Sequence, residues 1–141
     1  MYEKDVIIKV KGTQNGLSGD PVLLELMTEG KYYEKDGEFV VVYKETEITG
    51  MSGTTTTVSV APNRVILTRT GSVNSQLVFE QGQKHVSYYD TAHGSFTIGV
   101  LTSFMDISVN EHGGELVVDY NLEIDNENTG ENDFYMNIRE A

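Results

Sequence analysis

The feature of this chain that most constrains its fold is a period-two alternation of apolar and polar side chains near the C-terminus. In residues 115–125, five large, mainly apolar residues occupy every second position, and most positions between them carry acids or amides. Successive side chains of a β-strand point to opposite faces, so the pattern predicts a strand with one face in the core. Residues 6–11, 75–81 and 133–139 alternate similarly, and no stretch shows a sustained helical period. The alternation therefore predicts an all-β protein.

Short turn signals divide the chain into segments of strand length. The strongest is Asp36-Gly37, because this pair readily adopts the positive φ angles of a two-residue type I′ hairpin. Pro62 lacks the N–H group that a central strand needs, so it is placed in a turn. Residues 12–20 are polar and glycine-rich, which predicts a loop, and Gly99 predicts a bend or bulge in a long strand. The predicted strands cover approximately residues 3–11, 22–35, 38–48, 54–60, 63–70, 75–81, 84–91, 95–109, 115–125 and 131–140.

Short connections place strands that are neighbours in sequence side by side as antiparallel partners. About ten such strands form a meander, and closing the meander into a barrel removes its exposed edges. The prediction is one all-β domain over residues 1–141, folded as a single antiparallel up-and-down barrel. A two-sheet sandwich is the alternative architecture. A barrel with this number of strands is wide enough to leave space for a small ligand.

The composition argues against several classes of function. The chain has no cysteine, so disulfides, thiol nucleophiles and cysteine-ligated metal sites are excluded. It shows no signal-peptide pattern and no run near the roughly 20 apolar residues of a membrane-spanning helix, which predicts a cytoplasmic protein. The net charge is −12, and residues 110–141 hold nine acids and one base. Such a surface repels phosphate backbones and anionic lipids, so neither nucleic acid nor a membrane is expected as a partner.

Glu45 and Glu47 form one candidate site. Their spacing places both carboxylates on the same face of a predicted strand, roughly 6.5–7 Å apart along the chain, and Tyr43 shares that face. A buried carboxylate pair with separated pKa values performs acid/base chemistry in hydrolases. The favoured interpretation is simpler: the strand end reaches solvent, or a cation neutralises the pair.

Arg69 is the natural candidate for that cation, because it follows two apolar residues on one face of its predicted strand. It either pairs with Glu45 or Glu47, which is the favoured interpretation, or binds a ligand carboxylate or phosphate in bidentate fashion. Tyr89 is expected mainly to pack in the core, with contact to a ligand as the alternative.

Other motifs for chemistry are missing. The three histidines, His85, His93 and His112, show no metal-binding spacing. Residues 125–130 resemble half of a calcium loop, but Met136 stands where that loop needs a bidentate glutamate. The chain has neither a nucleophile elbow nor a phosphate-binding P-loop. No metal and no cofactor are therefore predicted, and a non-enzymatic role is favoured.

Several segments, in order along nearly the whole chain, resemble the YwiB-like family of uncharacterised bacterial proteins. The resemblance implies a calycin-like, lipocalin-type β-barrel in a cytosolic bacterial protein, and it implies no established activity. One departure is at residues 91–94, which read Thr-Ala-His-Gly where the family tends to have Thr-Pro-Tyr-Gly. Any role of an aromatic residue in that turn is therefore in doubt. The segments that carry the resemblance are residues 30–33, 36–37, 43–51, 54–57, 69–71, 75–82 and 87–91.

Three functions remain open at this point. In the first, the barrel binds a small, partly apolar ligand whose anionic end meets Arg69. In the second, the barrel is solid and serves as a protein-interaction module or a homodimer. The third and weakest is a hydrolase-type enzyme that uses Glu45 and Glu47.

Overall fold

Ten antiparallel β-strands make up the part of the chain that is described, residues 3–15, 22–46, 52–92 and 94–141 of a computed structural model. Each strand is hydrogen-bonded to the next, and the last strand pairs with the first, which closes the barrel. Among these residues no helix is present that could cross a membrane. The strands are β1 (Lys4–Asn15), β2 (Val22–Lys35), β3 (Glu38–Lys44), β4 (Thr54–Ala61), β5 (Arg64–Gly71), β6 (Asn74–Phe79), β7 (Lys84–Thr91), β8 (Gly94–Asn110), β9 (Gly113–Ile124) and β10 (Glu127–Glu140).

The predicted closed all-β barrel is thus confirmed, and the alternative of a two-sheet sandwich is wrong. The β1–β10 pairing runs from Val6 opposite Glu140 to Asn15 opposite Glu131. Closure leaves no sheet edge along this pair of strands, which is the physical reason that a meander of this length closes.

Two tight hairpins have the backbone conformation that their residues favour. Asp36 and Gly37 both have positive φ, 52° and 80°, as the Asp-Gly signal predicted for a type I′ turn. Asp125 and Asn126 have φ of 51° and 69° and connect β9 to β10. The segment that resembles half of a calcium loop is therefore a two-residue hairpin followed by the start of β10.

Two local predictions are wrong. Residues 12–15 were expected in a loop, but they extend β1, because β2 and β10 pair with them from both sides and satisfy their backbone groups. The bulge of β8 lies between Thr102 and Phe104 instead of at Gly99. Gly99 keeps regular pairing, and the Lys84–Glu123 ion pair, with an Nζ–Oε2 distance of 2.7 Å, crosses directly over it. A glycine here makes room for that pair.

The inner face of β3–β6 is built from rows of side chains that face one another across the strands. Two neighbouring rows are entirely apolar, and nearly all of their members are buried. Each fully buried side chain of this kind stabilises the fold by roughly 1.5–3 kcal/mol relative to exposure. The first row is Phe39, Val60, Val65 and Phe79, and the second is Val41, Val58, Leu67 and Leu77.

Gly30 marks the point where β2 packs most closely against its neighbours. It lies opposite Val6 of β1 and Tyr43 of β3. A Cβ atom at this position would stand 2.5 Å from the carbonyl oxygen of Val42 and would also clash with the Ile8 side chain. Only glycine fits this approach of three strands.

We expect Gly30→Ala to lower the free energy of unfolding by about 1–3 kcal/mol, because the backbone carbonyl of Val42 cannot move without disturbing a ladder. Gly12→Ala is the matched control, since its Cβ would meet Asp133 O at an ordinary 3.7 Å. Urea denaturation of both variants is the measurement. Equal stability of the two variants would contradict the steric explanation.

Candidate functional site

A row of polar side chains continues the inner wall beyond the two apolar rows. Its members face one another on five consecutive strands, from β3 to β7, and replace the valines and leucines of the preceding row. We refer to them as the polar row. It consists of Tyr43, Thr56, Arg69, Ser75 and Tyr89.

Arg69 is the central member of the polar row. Its Nε atom is buried and has no hydrogen-bond partner among the residues that the structure describes. The sequence favoured an ion pair of Arg69 with Glu45 or Glu47. Among the described residues no ion pair of Arg69 is formed, and Glu45 instead accepts a hydrogen bond from Thr56, which lies on the strand between it and Arg69. Pairing with Glu47 stays a prediction, because Glu47 lies outside the described residues.

Glu45 follows the polar row on β3's continuation and is 6% exposed. Thr56 donates a hydrogen bond from its Oγ1 to the Glu45 carboxylate at 2.6 Å, and the Tyr43 hydroxyl also hydrogen-bonds to this carboxylate. The backbone N–H of Glu45 donates to Thr54 O at 2.8 Å. Glu45 is thus a buried acid held by neighbouring hydroxyls. Glu47, its proposed partner, lies outside the described residues.

The pKa of Tyr43 reports on its surroundings. Burial raises the pKa of its hydroxyl above the ordinary value of 10.0, the Glu45 carboxylate raises it further, and the positive charge of Arg69 opposes both. Burial likewise raises the pKa of Tyr120, again against the charge of Arg69. The guanidinium therefore acts on hydroxyls from two walls of the barrel, β3 and β9.

Tyr120 is a site residue that sequence reasoning missed. It lies on β9, and its ring is tilted against that of Phe79 with 5.0 Å between the centroids. Since β6 and β9 are not neighbours in the sheet, this contact crosses the barrel interior. The available signal was weak: Tyr120 is the one residue with a hydroxyl on the apolar face of its alternating segment.

Two further hydroxyls were also missed. The Ser75 Oγ and the Thr102 Oγ1 are buried and have no hydrogen-bond partner within the described part of the chain. Ser75 lies directly opposite Arg69, and Thr102 directly opposite Tyr120. Ser75 is therefore a direct cross-strand neighbour of Arg69, whereas Thr102 is a neighbour of Tyr120.

Tyr89 ends the polar row on β7, opposite Ser75 on one side and Phe96 on the other. It is partly buried and packs against the hydrophobic core, as the sequence suggested. The structure thus brings together four of the five residues that the sequence proposed: Tyr43, Glu45, Arg69 and Tyr89.

The remaining titratable groups make no metal site in the described ranges. His85 contacts Glu80 with 2.9 Å between Nε2 and Oε1, and His112 contacts Glu140 at the same distance through Nδ1. His93 lies outside the described residues. Among the described residues, the interior offers the Nε of one guanidinium and two hydroxyls without hydrogen-bond partners, while Glu45 is already hydrogen-bonded. Such a set is suited to bind a group rich in acceptor oxygens.

Because the raised tyrosine pKa values belong to the folded state only, the protein should lose stability in alkali. The unfolded chain releases these protons near pH 10. The free energy of unfolding therefore keeps its full value below pH 10 and decreases as the pH rises above 10. Each such tyrosine contributes a slope of about 1.4 kcal/mol per pH unit. We expect Tyr43→Phe to reduce the slope between pH 10 and 12 by about this amount, measured by urea denaturation.

The same substitution should cost about 1–3 kcal/mol at pH 7, because it removes a donor from a buried carboxylate. Tyr88→Phe is the control, since Tyr88 is 70% exposed on the outer face of β7. If neither Tyr43→Phe nor Tyr88→Phe changes how steeply the free energy of unfolding falls between pH 10 and 12, Tyr43 ionises as readily in the folded chain as in the unfolded chain.

Comparison with solved structures shows the same fold in another protein. The crystal structure of ywiB protein from Bacillus subtilis aligns with a TM-score of 0.83, covering 99% of this chain and 93% of that chain at 18% sequence identity. At this identity the similarity shows the fold alone. No curated protein matches the chain.

The resemblance predicted from the sequence segments is therefore confirmed at the level of the family and the fold. A family model that matches the sequence itself assigns the chain to a family, independently of the structural comparison. Because the model described as a domain of unknown function, DUF1934, matches residues 8–136, the chain belongs to the DUF1934 family.

Proposed function

We propose that the barrel binds a small molecule whose anionic group is held by Arg69. The observation that carries this proposal is the buried Nε of Arg69 on the inner face, which has no partner in the described residues, with the unpartnered hydroxyl of Ser75 directly opposite. The Nε of Arg64 is unpartnered as well, but Arg64 lies on the outer face and contacts Glu38. A guanidinium matches carboxylate and phosphate oxygens in bidentate geometry, and serine and threonine hydroxyls add single donors around it.

The energetics support a ligand over a structural role. Moving a charge out of water is expensive, and an arginine inside a fold is normally compensated by an acid. Arg69 has no such acid among the described residues and is only partly buried, so solvent carries part of the cost and a ligand anion would relieve the rest. Residues that reduce stability in this way are common at binding sites.

The row pattern limits the apolar part of such a ligand. The two apolar rows are packed with buried side chains, whereas the unpartnered atoms of Arg69 and Ser75 lie in the polar row. The ligand body is therefore small and lies at the polar end of the inner wall. Fold analogy with lipocalin-type barrels agrees with small-ligand binding, as analogy only.

The test uses the Nε–Hε signals of the three arginines in the chain, Arg64, Arg69 and Arg139. We expect phenyl phosphate, in an NMR titration, to shift the Arg69 signal saturably and to leave the other two in place. Benzyl alcohol, which has the ring without the charge, should shift none of them. Equal shifts of all three signals by phenyl phosphate would show unspecific anion binding and contradict the proposal.

Arg69→Gln should weaken phenyl phosphate binding by about 10–100-fold, the effect of about 1.5–3 kcal/mol for a hydrogen bond to a charged group. Arg64→Gln is the matched control on the same strand, because Arg64 lies on the outer face and contacts Glu38 at 3.5 Å. Native mass spectrometry of the freshly purified protein, before and after denaturation, would reveal a ligand retained from the cell.

A second candidate is self-association through the outer face of β7 and β8. Val86, Tyr88, Leu101 and Phe104 are exposed there, between 42% and 70%. Aromatic and aliphatic groups are enriched at the centres of protein interfaces. A homodimer would bury them.

Sedimentation velocity over a range of concentrations tests this second candidate. We expect a dimer that Phe104→Asp dissociates, whereas Met27→Asp, at an exposed apolar position on β2, leaves it intact. A parent protein that stays monomeric at every concentration contradicts the homodimer.

The cytoplasmic location expected from the sequence stays a prediction.

A further inference from the structure

The barrel has one sparsely paired seam, between β6 and β7. Only two residue pairs join these strands in the described structure: Asn74 with Asp90 and Ser75 with Tyr89. The neighbouring β5–β6 ladder has five pairs, and β7–β8 has eight. Below Ser75 the two strands stay side by side but are not joined by a backbone ladder. We refer to the gap between residues 76–79 and 84–88 as the seam.

Both ends of the seam are closed. The upper end is the Ser75–Tyr89 pair, which is also the end of the polar row. At the lower end the turn that joins β6 to β7 closes the gap: Gln83 N donates to Glu80 O at 2.9 Å. The seam is therefore a bounded slot in the barrel wall, distinct from a frayed edge.

Side chains, instead of a backbone ladder, cross the slot. The Ser87 hydroxyl donates to Gln76 O, and His85 Nε2 contacts Glu80 Oε1 at 2.9 Å. Both contacts involve partly exposed side chains, which exchange partners with solvent at low cost.

The inward-facing side chains of β7 are the ones that solvent reaches beside this slot. Inward-facing residues of β4 are buried, in an alternating pattern along the strand, and so are those of β6. On β7 the inward-facing residues, among them His85, Ser87 and Tyr89, are only partly buried. Water therefore contacts β7 along the slot, while the facing side chains of β6 stay covered.

We propose that the seam is the mouth through which the anionic ligand reaches Arg69. This inference rests on the proposed function. Ser75, whose hydroxyl lacks a partner, forms the upper rim and lies directly opposite Arg69 across β6 and β5. A ligand that enters between the strands meets that hydroxyl first and the guanidinium next. No ladder has to open, because none spans the slot.

The chain has no cysteine, so a single introduced thiol can be labelled cleanly. Ser87→Cys places a thiol on the inner side of the slot, and Tyr88→Cys places one on the outer side of the same strand. We expect both thiols to react with N-ethylmaleimide. A Ser87→Cys thiol that stays unreactive in the folded protein would overturn the proposal, because it would mean that the slot is closed.

The adducts then test access to the site. The maleimide on Ser87→Cys should reduce the phenyl phosphate response of the Arg69 Nε–Hε signal at least 10-fold in apparent affinity or in association rate. The same adduct on Tyr88→Cys should leave the response unchanged. A methylthio group on Ser87→Cys, much smaller than the maleimide, should also leave it unchanged, which separates blocking of the slot from loss of the Ser87 hydroxyl.

The outcomes are distinguishable. If the parent protein shows no phenyl phosphate response at Arg69, the proposed function fails and the mouth fails with it. If the parent responds and the Ser87→Cys maleimide adduct responds equally, only the mouth is overturned. His85→Cys, at the next inward-facing position of β7, replaces Ser87→Cys if that variant does not fold, and the same expectations apply to it.

Discussion

The pairing of the first strand with the last determines everything else in this structure. Backbone hydrogen bonds between β1 and β10 close the sheet, and Ala141 N donates to Asp5 O at 3.1 Å beyond the end of the ladder. Closure turns one face of every strand toward a shared interior. A polar side chain on that face then has three options: a partner inside, access to solvent, or a ligand. Arg69 lies on the inward face of its strand, so one of these three must apply to its guanidinium.

Stability and binding capacity occupy different rows of the same wall. The two apolar rows carry the hydrophobic stabilisation, whereas the polar row contains groups whose desolvation opposes folding. Beside the polar row, the hydroxyls of Thr56 and Tyr43 hold Glu45. The acid is therefore compensated by hydroxyls, and among the described residues no acid forms an ion pair with Arg69. The proposed binding of an anion depends on this separation of Glu45 from Arg69.

Local patterns predicted the fold well, because alternation and turn chemistry are properties of short segments. They also grouped Tyr43 and Glu45 with apolar residues on one face of a strand, and Arg69 with apolar residues on another, since parity follows from neighbours two residues away. The sequence could not tell which acid faces Arg69, because cross-strand register decides which side chains meet, and no short segment encodes it; Glu45 is held by Thr56 instead. Ser75, Thr102 and Tyr120 escaped prediction for the same reason. Their importance comes from missing partners, which only the assembled barrel reveals.

The seam and the polar row are best understood as one physical feature. A cation without an internal acid is tolerated inside a barrel only where water or a ligand reaches it. The ladder between β6 and β7 stops at Ser75–Tyr89, the end of the polar row, and the inward-facing residues of β7 just below are partly exposed. Arg69 is itself only partly buried. If the barrel binds an anion as proposed, the sparsely paired stretch and the partly buried cation would serve one purpose: water carries part of the cost of Arg69 in the free protein, and the anion would replace that water.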